Sequence, residues 1–217
     1  ERRGHIGDRR EWFRDLTTFT RLIRKKHPKA RIVWCGESMG SLIVMHTYAY
    51  AVDRSGLCDA MILSSPIVDI RGDFPKWKEH LANGAAALLP KARVSLEALA
   101  GKSDVKVTKN AIHSEQAQKN PYHIERHTLR LLTTLGDMTR GMKKASRSLN
   151  IPLYVQYGGK DVFSDPKDVE IFLENLPQTT KFEQAFYPES FHLLFHDHQG
   201  DKVVADIEKW LRKLPAR

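Results

Sequence analysis

Apolar positions along this chain follow two periods that alternate. Over residues 9–26, Trp12, Phe13, Leu16, Phe19, Leu22 and Ile23 recur at helical spacing, and His27-Pro28 closes the segment. RIVWC at 31–35 is a short continuous apolar run, which predicts a strand covered on both faces. Beyond two glycines, SLIVMHTYAYAV at 41–52 predicts a buried helix ending near Arg54-Ser55-Gly56. CDAMILSSP at 58–66 predicts a second apolar strand, halted by Pro66.

From 67 to 148 the pattern changes. FPKWKEHLANGAAALLP and HTLRLLTTLGDMTRGMKKAS are amphipathic at helical spacing, and no strand stands out. The alternation then resumes with IPLYVQYGG (151–159) as a strand, DPKDVEIFLENL (165–176) as a helix and TKFEQAFYP (180–188) as a strand. A last helix at about 200–213 places Val203, Val204, Ile207, Trp210 and Leu211 on one face. Helix and strand alternating in this way predict an α/β protein with a mostly parallel sheet and helices on both faces. The expected organisation is a core of residues 1–66 and 149–217 interrupted by a helical cap insertion at 67–148.

Composition changes this picture little. The 217 residues carry a formal charge of +9, but residues 1–31 hold eleven Lys/Arg against four Asp/Glu, so +7 of it lies there. No nucleic-acid motif accompanies that stretch, and a solvated basic helix face accounts for it. No apolar run approaches the ~18 residues that would cross a bilayer. Cys35 and Cys58 both fall in apolar strand patterns and read as buried small hydrophobes, which favours a reducing, cytoplasmic compartment. The chain opens on ERRGHIGDRREW, without Met and without a signal-peptide pattern.

Candidate chemistry centres on Gly36-Glu37-Ser38-Met39-Gly40, a G-x-S-x-G placed where a predicted strand meets a predicted helix. Small residues let the two backbones approach, and the turn lifts the Ser38 hydroxyl above the sheet. The Met39 N–H would open the helix and face a developing oxyanion. A serine at its ordinary pKa needs a base and an orienting acid. Asp161, in GGKDVFSDP after a strand, is the candidate acid. Asp165 in the same loop reads instead as the cap of the helix beginning at Pro166. His192, in the loop after the last strand, is the candidate base. His192, His196, His198 and Asp197 also compete as a metal cluster for a metal-dependent hydrolase, although the Glu of H-E-x-x-H is absent. His196 and His198 are otherwise expected at the surface. His46, His113, His123 and His127 are expected to be structural. A non-catalytic ligand-binding protein on the same scaffold is the other alternative.

GESMG after a strand, GGKDVFSDP and ESFHLLFHD together resemble the monoacylglycerol lipase and lysophospholipase branch of the α/β-hydrolases, with RGHIGDRREWFRDL and NPYHIERHTLRLL similar to flanking segments. The resemblance implies the α/β-hydrolase fold, with Ser38 as nucleophile, Asp161 as acid and His192 as base. It implies hydrolysis of a small-molecule carboxylic ester, a monoacylglycerol or lysophospholipid among them, without a cofactor or a nucleic-acid partner, and allows peripheral membrane contact. The apolar stripe Trp77, Leu81, Leu88 and Leu89 would then roof an acyl site or pack the cap. Ser41 stands where the family usually has Gly. The family's first strands and its second oxyanion donor would lie upstream of Glu1, so residues 1–217 alone are expected to show little turnover.

Overall fold

Four parallel strands lie side by side in the order β1 (Val33–Glu37), β2 (Ala60–Ser64), β5 (Leu153–Gly158), β6 (Phe182–Tyr187). The computed structural model describes residues 3–69, 83–95, 106–110, 112, 115–116 and 119–215. Val33 pairs with Ala60 and Glu37 with Ser64; Met61 with Leu153; Leu153 with Phe182. The two-residue period of a strand then sorts the side chains. Met61, Leu63, Leu153 and Val155 enter the larger core, and Ala60, Ile62 and Tyr154 enter a second one behind the sheet.

Helices α1 (Arg10–Lys26), α2 (Met39–Tyr50), α3 (Leu129–Ser146) and α4 (Pro166–Glu174) supply the first core. Helix α5 (Gly200–Lys213) closes the opposite face with Trp210, stacked on Tyr154 at 5.3 Å between centroids. Of the apolar positions expected on the inner face of α5, Val203 and Trp210 are buried but Val204 is exposed. Adjacent positions lie about 100° apart on a helix, and with Val203 turned inward Val204 falls at the solvent edge of the stripe. Helix α1 is tied down by the Trp34 Nε1–H, which donates to Thr20 Oγ1 at 3.0 Å, and by Phe13, His46 and Tyr50 stacked in series.

Several expectations need correction. The first strand begins two residues later than RIVWC and runs through Gly36 to Glu37, because Ile32 is occupied by Asp59, whose carboxylate accepts its N–H at 2.7 Å. Cys35 is exposed, not buried; β1 lies at the edge of the described sheet, and among the described residues the second core reaches only its Val33. Cys58 is buried. The stretch 67–148 does contain strands: β3 (Arg93–Ser95) and β4 (Arg126–Thr128) pair antiparallel. Each has three residues and opens on an arginine, too short and too polar for an alternating signal. Helix α3 lies inside that stretch, yet Met138, Met142 and Ala145 pack into the main core against α2. Trp77, Leu81 and His113 lie outside the described residues; Leu88 and Leu89 are exposed.

Candidate active site

Strand β1 ends and helix α2 begins with only Ser38 between them. Its backbone has φ 53° and ψ −120°, a conformation that L side chains adopt only when the surroundings impose it. The imposition is visible. The Ser38 N–H donates to Ser64 O on β2 at 3.0 Å, while its carbonyl accepts from the Ser41 N–H at 2.9 Å and the Ser41 hydroxyl at 2.5 Å. Ser41 is wholly buried, so in place of a glycine this chain uses a hydroxyl to hold the turn. The Ser38 side chain caps nothing in α2 and is left to face outward.

The two glycines of the pentapeptide are not equivalent. A Cβ on Gly36 would collide with the Gly40 carbonyl and come within 2.8 Å of Ser41 N, whereas a Cβ on Gly40 would meet no described atom within 4 Å. Gly36→Ala is therefore expected to lower stability by about 1–3 kcal/mol through backbone overpacking. Gly40→Ala, inside α2, should be neutral or stabilising by up to about 1 kcal/mol. Chemical denaturation of the two variants separates them, and equal losses would refute this division of labour.

Ser38 Oγ lies 2.7 Å from His192 Nε2, and His192 Nδ1 lies 2.9 and 2.8 Å from the two oxygens of Asp161. A carboxylate only accepts, so Nδ1 carries the ring proton and Nε2 is left to accept from the serine. His192 and Asp161 are 2% and 3% exposed, which keeps the relay out of bulk solvent. Asp161 Oδ1 also accepts from the N–H groups of Phe163 at 2.8 Å and Ser164 at 3.2 Å, which hold the carboxylate independently of the imidazole. The Phe163 ring packs against the imidazole in a T-shaped contact, 4.7 Å between centroids. Asp165 is spent elsewhere: it caps α4 by accepting from Lys167 N at 2.9 Å. An imidazole so held can take a proton from the hydroxyl and return it to a leaving group.

The acid and base loops meet because two glycines allow it. A Cβ on Gly158 would come within 2.5 Å of Ser190 O and 2.7 Å of Phe191 O, and one on Gly159 would strike Pro188. Neither glycine has a positive φ. They permit close approach of the loop ending in His192, rather than an unusual turn.

Both nitrogens of His192 are committed, leaving neither for a metal bond. His196 and His198 are exposed, and among the described residues no three ligand side chains converge. His46 is buried, with Nε2 2.7 Å from Met138 O, and burial lowers its pKa. Two nearby acids have surroundings that the sequence did not disclose. Glu37, beside the serine but on the other side of the strand, has its pKa raised by burial, partly offset by the Phe195 amide, and its Oε1 meets no hydrogen-bond partner among the described residues. Asp197, weighed only as a metal ligand, is buried and accepts from the Phe191 N–H at 2.8 Å. The first could have been suspected from its place before Ser38; nothing local marks the second. Met39 is the first residue of α2, where the amide has no acceptor within the helix.

The family model described as serine aminopeptidase, S33, matches residues 1–199. Among solved structures, the chain is similar to a monoacylglycerol lipase of Paleococcus ferrophilus, with 18% identity and a TM-score of 0.72 over 92% of this chain and 74% of that one. It is similar also to a soluble variant of a Saccharomyces cerevisiae monoglyceride lipase bound to a substrate analog, at 21% identity, TM-score 0.75, and 93% and 68% coverage. A carboxyl esterase of Bacillus coagulans matches at 16% identity, TM-score 0.75, and 92% and 70% coverage. At these identities the likeness establishes the α/β-hydrolase fold. Among the described residues, no helix is long and apolar enough to cross a membrane.

Proposed function

This chain belongs to the serine aminopeptidase S33 family of α/β-hydrolases, and on that premise we propose that it cleaves carboxylic esters through an acyl-enzyme on Ser38. The observation that carries the proposal is the continuous relay from Ser38 Oγ through His192 to Asp161, with links of 2.7 and 2.8 Å.

Ser38 Oγ attacks the ester carbonyl while its proton passes to His192 Nε2. The tetrahedral oxyanion lies at the start of α2, where the Met39 N–H and the helix field stabilise it. As the intermediate collapses, the ester C–O bond breaks and the alcohol leaves with the proton from His192. Water then attacks the acyl carbonyl, giving a proton to His192. Release of the acid returns that proton to Ser38. Asp161 holds the tautomer and balances the charged ring throughout.

For the substrate we infer a monoacylglycerol or lysophospholipid. Support for the monoacylglycerol comes from the names of two fold relatives; the lysophospholipid rests on the resemblance of the Ser38, Asp161 and His192 segments alone. The test is a labelled fluorophosphonate on the protein that carries these residues, followed by a panel of monoacylglycerol, lysophospholipid, short aryl ester and aminoacyl anilide. Attachment at Ser38 and turnover of the lipid esters are expected. An intact fold without attachment would leave a ligand-binding protein; turnover of the anilide alone would favour the peptidase chemistry in the family's description.

A further inference from the structure

The loop that carries His192 is held at a second place, and the residue holding it touches neither Ser38 nor the relay. The Asp197 side chain is wholly buried. Its Oδ2 accepts from the Phe191 N–H at 2.8 Å, one residue before His192, and lies 3.4 Å from His198 Nδ1. Its Oδ1 accepts from the Lys109 N–H at 2.9 Å and the Thr108 hydroxyl at 3.2 Å. The contact is reinforced beside it: the Leu193 N–H donates to Val107 O at 2.9 Å, and the Thr108 hydroxyl lies 3.1 Å from His196 O. Residues 107–109 thus run against the base loop after His192, and one carboxylate joins them to the Phe191 amide just before it.

Burial of a carboxylate disfavours its charge, and that cost is exceeded here. The amides of Phe191, Lys109 and His198 and the His198 ring hold Asp197 below its ordinary pKa of 3.8. No other acceptor among the described residues reaches the Phe191 N–H. A neutral side chain at 197 would leave buried donors unmet, and the loop would shift to find water.

We propose that Asp197 is a positioning residue for His192, fixing the imidazole through the Phe191 N–H and coupling the base loop to the segment 107–109. This rests on the reading of His192 as the general base and deepens it. The general base must stay within a few tenths of an ångström of the serine, and displacements near 1 Å cost about 10²-fold in rate. Asp197→Asn keeps one acceptor oxygen but turns an NH₂ group toward an N–H donor, so half of the clamp becomes repulsive. Thr108→Val, close in volume, removes only the hydroxyl.

The experiment measures ester turnover per site, with active sites counted by fluorophosphonate titration, in the wild type, Asp197→Asn and Thr108→Val. We expect kcat per titrated site to fall about 10- to 100-fold for Asp197→Asn and a few-fold for Thr108→Val, with KM changed less than about two-fold. A purely structural role lowers the number of titratable sites and leaves turnover at each site unchanged, and that result overturns the proposal. Should Asp197→Asn fail to fold, Thr108→Val decides alone, since unchanged turnover per site in that variant is contrary to the clamp. A wild type that cannot be titrated at Ser38 instead overturns the hydrolase reading itself, so the two failures are distinguishable.

Discussion

Replacing Ser38 by alanine is expected to abolish fluorophosphonate labelling and to lower ester turnover by about 10⁶-fold, because among the described residues no other hydroxyl is placed on His192 Nε2. Replacement by glycine should be as inactive and yet more stable than the wild type. Ser38 is held at φ 53° and ψ −120°, and such a conformation costs a non-glycine residue on the order of 1–3 kcal/mol. Glycine relieves that strain but gives back about 0.5–1 kcal/mol in the greater freedom of the unfolded chain. The net gain is about 1 kcal/mol, or roughly 2–4 °C in Tm for a chain of this size. Alanine retains the strain and should melt close to the wild type. A glycine variant less stable than the alanine variant would show that the turn is not strained by its serine, and residual labelling in either would place the nucleophile elsewhere. The stability given up at Ser38 presents the hydroxyl clear of its own helix, where a capping serine would be of no use as a nucleophile.

What could be read from the sequence follows from how local each determinant is. The turn at Ser38 needs a strand, a glycine at position 36 and a helix in close succession, and all are contiguous in RIVWCGESMGSLIVM. The loops of Asp161 and His192 could be placed because each follows a predicted strand, and Asp165 could be set aside because its cap depends on Pro166 next to it. Determinants that act across the fold were hidden. Gly158 and Gly159 stand beside Asp161 in GGKDVFSDP, but what they admit is the backbone of 188–191, which lies some thirty residues away. Asp197 is bonded to residues 88 and 89 positions earlier, so no window of sequence contains both partners. Helical periodicity identified α3 but could not say which layer it joins; an apolar stripe specifies a neighbour's chemistry, not its identity. Cys35 shows the same limit in a strand, where an apolar pattern cannot tell a central position from an edge.

The relay makes a second demanding prediction, at Asp161. Asp161→Asn is expected to lower kcat by about 10⁴-fold while leaving the loop in place. The reason lies in how the two carboxylate oxygens are used. Oδ1 accepts from the amides of Phe163 and Ser164 and lies 2.9 Å from His192 Nδ1, while Oδ2 has no such amides and lies 2.8 Å from that nitrogen. An asparagine can keep its single oxygen on the two amides, since those are donors, but its NH₂ then faces His192 Nδ1. That nitrogen must become an acceptor, so the ring proton moves to Nε2 and points at the Ser38 hydroxyl, which can no longer give up its own. The imidazole keeps its position and loses its tautomer. Turnover per intact molecule should therefore collapse while unfolding shifts by only about 1.5–3 kcal/mol, the worth of a charge-assisted hydrogen bond. Asp161→Ala removes the acceptor from both amides as well and should lose more stability. Asp165→Asn is the control, because asparagine caps a helix about as well as aspartate and kcat should not move. If Asp161→Asn retains turnover within ten-fold of the wild type while Asp165→Asn does not, the acid has been assigned to the wrong residue of the loop.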